Sequence, residues 1–180
     1  MAKNVIHIFG ASGSGTSTLG RRICSELGFR LMDTDDYFWL PTDPMFTAKR
    51  DVDERLSMMR RDIQSAQNVV ISGSLTGWGD PLIPLFTLAI RLNTPTELRI
   101  ARLRRRESEA FGARVAPGGD MYAEHQAFLD WAAAYDTGGL TMRSKAQHDA
   151  WQKLLPCALL VLSGAVDPGA NLERIRPLCI

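Results

Sequence analysis

The chain has 180 residues, 45% of them hydrophobic and 23% charged, with a formal net charge of +1. That balance suits one α/β domain over residues 1–180 with a sizeable core, and it gives no electrostatic case for nucleic acid as the main partner. No apolar run approaches membrane-spanning length, and the one after Lys3 is too short for a signal peptide, so a cytoplasmic protein is expected. Cys24, Cys157 and Cys179 show neither C-x-x-C nor metal-ligand spacing and read as free thiols of a reducing compartment.

The first element is a short apolar strand, Asn4 to Phe9. It runs into Gly10-Ala11-Ser12-Gly13-Ser14-Gly15-Thr16-Ser17-Thr18, after which Leu19, Ile23 and Leu27 recur at helical spacing. Strand, glycine loop and helix in that order form the context of the phosphate-binding pattern G-x-x-x-x-G-K-[ST]. Gly10 and Gly15 match its glycines and Ser17 its hydroxyl, but Thr16 stands where the pattern has lysine. Main-chain N–H groups at a helix N-terminus attract phosphate without that lysine. Phosphate contacts are therefore expected from Gly10, Ser12, Gly13, Ser14, Gly15, Thr16, Ser17 and Thr18. The dinucleotide fingerprint G-x-G-x-x-G would place its third glycine at Thr18, so only the loop and Asp33 speak for an NAD-dependent oxidoreductase.

Phe29 to Met32 reads as a second strand ending at Asp33-Thr34-Asp35-Asp36, and Pro41 to Lys49 as a loop. A helix is expected over Asp51 to Ala66, with Val52, Leu56, Met59 and Ile63 along one face. Strands follow over Val69 to Gly73 and Leu85 to Leu92, and then a helix with Pro95 in its first turn. From about 107 to 152 the alternation stops. Gly112, Pro117-Gly118-Gly119 and Gly138-Gly139 separate helices expected around Met121 to Tyr135 and Met142 to Trp151, and the stretch reads as a helical lid. Ala158 to Leu162 returns to the sheet, and Asn171 to Arg176 closes the chain as a helix. The resulting fold is a five-stranded parallel sheet with helices on both faces, its ligands at the strand C-terminal ends.

Phosphoryl transfer needs a metal site, an acceptor site and mobile cations. Mg²⁺ needs few protein carboxylates, and Ser17 with Asp35, or with Asp33 or Asp36, can hold it. Asp35 is the first choice for base or metal duty, and Asp33 is a second group for an acceptor hydroxyl. Arg102 and Arg106 lie one helical turn apart and can address one anion, within the cluster Arg102, Arg104, Arg105 and Arg106. Arg114, Arg143 and Lys145 are further cations of the lid. His7 reads as a core or near-site histidine. His125 and His148 read as surface residues. Tyr37, Trp39 and Trp78 suit either the core or an acceptor pocket, and Asp80 either a turn or the acceptor side.

The loop, the Asp-x-Asp-Asp-Tyr-Phe segment at Asp33 to Phe38, the Ser-Gly-Ser turn at Ser72 to Ser74 and the arginine-rich run Glu97 to Glu107 resemble the nucleoside monophosphate kinase and shikimate kinase group of P-loop proteins. Within it the chain resembles adenylate kinase-like bacterial proteins with this same loop. The resemblance implies ATP phosphates at Gly10 to Thr18, acceptor contacts from Asp33, Asp35 and Gly73, and Arg102 and Arg106 closing over the transferred group. It also implies an anionic acceptor group reached by Arg50 or Arg55. The function expected is transfer of the γ-phosphoryl group of ATP, with Mg²⁺, to a small hydroxyl- or phosphate-bearing acceptor, with Arg102, Arg106 or Arg143 replacing the missing lysine. A nucleotide-binding switch or sensor with weak or no catalysis is the alternative, and Thr16 speaks for it.

Overall fold

A computed structural model describes residues 3–179. Among them five parallel strands, β1 (Val5–Gly10), β2 (Arg30–Asp33), β3 (Val69–Ser72), β4 (Leu88–Asn93) and β5 (Ala158–Ser163), form one sheet in the order β2-β3-β1-β4-β5. The central strand β1 is buried along its whole length, as a strand covered on both faces must be. Its register aligns Ile6 with Val70 on one side and with Leu88 on the other. Strand alternation then divides the core. Ile6 and Ile8 pack with Leu19 and Ile23 of α1 (Thr16–Leu27) and Leu172 and Ile175 of α7 (Pro168–Ile175). Val5 and Phe9 face the other way, against Met59 and Ile63 of α3 (Val52–Ser65) and Trp151.

The expected elements are present, with ends moved by capping and by proline. Asp51 caps α3 by accepting from the N–H groups of Asp53 and Glu54, so this helix starts at Val52, the first residue of its apolar stripe, one residue later than expected. Residues Asp80–Leu85 form a 3-10 turn with Pro81 and Pro84, which delays β4 to Leu88. The aspartate segment after β2 is itself a short helix, α2 (Thr34–Phe38), whose N-cap Asp33 accepts from the Asp35 N–H.

Between β4 and β5 lie α4 (Thr96–Phe111), α5 (Tyr122–Ala133) and α6 (Lys145–Trp151). The region expected as one lid over about 107–152 divides physically. Leu103, Leu129 and Ala132 make a separate small core between α4 and α5. In contrast, α6 returns to the sheet: Trp151 and His148 both meet the Phe9 ring edge-on, at 5.4 and 5.2 Å. Apolar and aromatic burial on β1 therefore anchors residues 145–151. Among the described residues, no helix is long and apolar enough to cross a membrane.

Arg99 is a fully buried guanidinium that joins these parts. It donates to the Thr94 and Ala132 carbonyls, to Thr96 Oγ1 and to Asp136 Oδ2, tying the start of α4 to the end of α5. Replacing it by methionine would keep much of its volume but leave buried acceptors without donors. Arg99→Met is expected to lower unfolding free energy by about 3 kcal/mol or more, read from urea denaturation midpoints; an unchanged midpoint would contradict this role.

Candidate active site

β1 ends at Gly10, and α1 starts at Thr16 with Gly15 as its N-cap. Gly13 and Gly15 sit at φ of 78° and 101°, in the left-handed region, which a side chain rarely tolerates. A Cβ on Gly13 would fall 2.6 Å from the Arg99 carbonyl oxygen, and one on Gly10 equally close to that of Leu92. The loop is thus wedged against β4 and α4. No side chain caps α1 and no acidic residue occupies its first turn, so its first N–H groups stay free for an anion. The buried Ser14 hydroxyl has no hydrogen-bond partner either.

Opposite the loop stands Asp33. The Ser17 hydroxyl donates to its Oδ2 at 2.6 Å, and Ser72 Oγ reaches the same oxygen at 3.3 Å. The structure therefore sets Asp33, rather than Asp35, against Ser17, because the last residue of β2 lies beside the first turn of α1. Asp35 follows on α2 with part of its surface open, yet protein surrounds its other sides. Burial first, and then the neighbouring Asp33 charge, push its pKa above the usual carboxylate range, while Arg143 and Arg106 oppose them. Asp36 is raised in the same way, with Arg21 opposing.

Three guanidinium groups surround the loop that lacks lysine. Arg102 donates to the Gly164 carbonyl at 2.9 Å, and its Nη1 lies 3.7 Å from where a Gly15 Cβ would be. Arg143 approaches Ser12 Oγ at 3.4 Å from the other side, with its guanidinium 5.5 Å from the Trp131 ring. Burial lowers the Arg143 pKa, and Asp35 resists that shift. Arg106 contacts Glu107 Oε1 at 3.3 Å. The other cations expected to act from a lid are engaged elsewhere: Arg114 with Asp43 and Asp120, at 2.9 and 2.8 Å, and Lys145 with Asp149 at 3.0 Å.

Two cavities meet at this point. The first, about 1020 Å³, extends from Gly13 and Thr18 past Arg102 to Gly164 and Asn171. The second, about 550 Å³, extends from Gly10 and Ser12 past Gly73 and Arg143 to α5. Thr16, Ser17, Asp33, Asp35 and Arg106 line both. Gly73 has φ of 111°, and a Cβ there would collide with Thr34.

No family model matches the chain. Over 175 residues, 97% of this chain and 96% of the other, it is 39% identical to the uncharacterized protein YqaC of Bacillus subtilis (strain 168). It is 32% identical to a cytidylate kinase of Thermococcus sibiricus (strain DSM 12597 / MM 739) over 113 residues, 57% of each chain. The solved structure of a shikimate kinase from Bacteroides thetaiotaomicron superposes with a TM-score of 0.58 over 97% of both chains, at 14% identity. The chain belongs to the family of YqaC and shares the fold of the shikimate kinase. A YqaC-family loop without lysine is thus held in a P-loop kinase fold.

Within this YqaC-family chain, the two arginines expected to reach an acceptor lie outside the second cavity. Arg50 donates to the Tyr37 carbonyl and pairs with Glu54 at 2.8 Å, facing the first cavity. Arg55 is buried, 3.9 Å above the Phe38 ring and 5.3 Å from that of Trp78. The aromatic faces hold it inside, and it lines neither cavity. Asp80 accepts from the Trp151 indole at 2.7 Å and serves the core.

Both helical histidines, expected at the surface, are buried. His125 Nδ1 meets Glu107 Oε2 at 2.7 Å in the wall of the second cavity. His148 bonds the Tyr135 hydroxyl at 2.8 Å and approaches Ser74 Oγ at 3.3 Å. Their partners are distant in sequence. Only Glu107, which continues the face of Leu103, hinted at one of them.

His7, as expected, is a core residue: it stacks with Phe86 at 5.0 Å and bonds the Gly73 carbonyl at 2.9 Å. Burial holds His7 at a pKa of about 4; burial, with Arg143 and Arg91 adding to it, holds His148 at about 3. In the unfolded chain each takes up its proton near pH 6.5. The unfolded state then binds more protons below pH 6.5, so this stability is full above that pH and declines as pH falls toward 4 and 3. Urea unfolding at pH 7 and pH 5 should show a loss of about 2 kcal/mol per histidine. A flat profile across that window would contradict the burial of neutral imidazoles.

Proposed function

We propose that the chain is an ATP-dependent phosphotransferase acting on a small molecule, with nucleotide in the first cavity and acceptor in the second. One observation carries this reading: the two cavities meet at the loop and share Thr16, Ser17, Asp33, Asp35 and Arg106. The relatives described as cytidylate kinases and the kinase fold support it.

The loop N–H groups and the α1 terminus bind the phosphates. Ser17 and Asp33 would hold Mg²⁺, since a hydroxyl and a carboxylate are the hard oxygen donors this ion takes. When bound, the ion neutralises charge on the phosphates. Asp35 is the general base for an acceptor hydroxyl, and its raised pKa suits that role. Arg143 and Arg106 from one side, and Arg102 from the other, supply the positive charge that Thr16 does not. The α4–α5 body, rather than all of 107–152, is the part we assign as lid, in a cytoplasmic enzyme.

Asp35→Asn is expected to reduce turnover roughly 10²- to 10⁴-fold with little change in ATP affinity. Arg143→Ala and Arg106→Ala should cost on the order of 10³-fold or more between them. The check is ADP formation from ATP–Mg²⁺ across an acceptor panel, with nucleotide affinity measured separately by calorimetry. Thr16 favours a second reading, a nucleotide-dependent switch. Tight ATP binding with no transfer to any acceptor would establish that reading instead.

A further inference from the structure

The two cavities differ in charge. Five arginine side chains and four carboxylates line the first, including Arg21 and Arg105 outside the loop. In the second, five carboxylates, Glu124 and the Arg114-paired Asp120 among them, stand against three lining cations. Two of those cations, Arg106 and Arg143, flank the loop. The third, Lys49, lies 5.9 Å from the Phe38 ring centre. A polyphosphate suits the first cavity. The second has no further set of cations for a phosphate carried by the acceptor, and desolvating such an anion without partners costs several kcal/mol or more.

Aromatic rings dominate the rest of its wall. The 34–46 segment presents Trp39 and Phe46, with centroids 5.9 Å apart, where the two cavities meet, and α5 presents Phe128 and Trp131, nearly parallel at 6.0 Å, to the second alone. Phe46 is held at φ of 65° with 43% of its surface exposed. A left-handed aromatic residue with an open ring is strained, and such strain concentrates at ligand sites. His125 adds a polar group to this wall, its orientation set by the Glu107 bond. Aromatic faces with one or two oriented polar groups recognise planar heterocycles by stacking and edge hydrogen bonds.

We propose that the acceptor is an uncharged, hydroxyl-bearing compound with a planar heteroaromatic ring, a nucleoside being the type, and not a phosphorylated one. The proposal rests on the phosphotransferase reading above. The acceptor hydroxyl oxygen forms a bond to the γ-phosphorus as the bond from that phosphorus to the bridging oxygen breaks. ADP leaves with that electron pair, and the hydroxyl proton passes to the Asp35 carboxylate and then to water. The ring lies between the loop aromatics and α5, with His125 at its polar edge.

The test is ADP formation and product mass with ATP–Mg²⁺ and three acceptor groups: adenosine, cytidine, thymidine and pyridoxine; AMP and CMP; shikimate, gluconate and glucose. Phosphorylation in the first group with AMP and CMP unreactive supports the proposal. Turnover confined to the monophosphates or to the non-aromatic compounds overturns it and leaves the phosphotransferase reading standing. ADP formation with none of the three groups overturns both. Phe128→Leu and Phe128→Ala serve as the second measurement, since Phe128 lines the second cavity and not the first. Loss of a stacking face should raise the acceptor KM about tenfold or more, while an unaltered KM for ATP reports an intact fold and loop. A selective rise in either variant supports the proposal, and an unchanged acceptor KM in both overturns it.

Discussion

The close approach of the loop to the backbone of β4 and α4 is the constraint on which the site depends. Glycine is required at Gly10 and Gly13 because carbonyl oxygens of Leu92 and Arg99 occupy the space a Cβ would need. That contact places the free N–H groups of α1 at the C-terminal end of β1 and brings Ser17 within 2.6 Å of Asp33. Arg99 holds the same junction from the helical side, since its guanidinium bonds both ends of the α4–α5 pair. The phosphate loop, the Ser17–Asp33 pair and the small helical core are consequently parts of one packed unit.

The replacement of lysine by Thr16 acquires meaning from what surrounds it. A lysine in the loop is a single charge on a flexible stem, whereas this fold distributes guanidinium groups around the loop from α4 and from the 142–144 turn. Guanidinium groups present planar forks suited to phosphate oxygens and remain charged even where burial disfavours it. Arg143 is also steadied by the Trp131 face and by the Asp35 charge. Asp35 and Arg143 are thereby coupled: the carboxylate that resists the loss of the arginine's charge is the one whose own pKa the arginine moderates.

The strand-loop-helix unit and the parallel sheet were legible because local pattern carries them. Continuous apolar runs mark doubly covered strands, and closely spaced glycines mark a loop that must approach other backbone. The aspartates after β2 were legible as candidates by their position at a strand C-terminal end. Which of them lies beside Ser17 was not, since that depends on contact across the strand–helix boundary. Arg55 shows the opposite limit. Its sequence position suited an acceptor contact, yet two aromatic faces, one from α2 and one from the turn after β3, draw it inward.

The sequence by itself determined the fold class and the phosphate loop, because both follow from short-range spacing of glycine and apolar residues. Only the tertiary structure decided the rest. It separated α6 from the α4–α5 core by burying Trp151 and His148 against Phe9, paired Asp33 with Ser17, and enclosed an aromatic, carboxylate-rich cavity between residues far apart in the chain. The physical reason is common to all three. Burial and charge at a point in space are sums over neighbours from several elements, and no single stretch of sequence contains that sum.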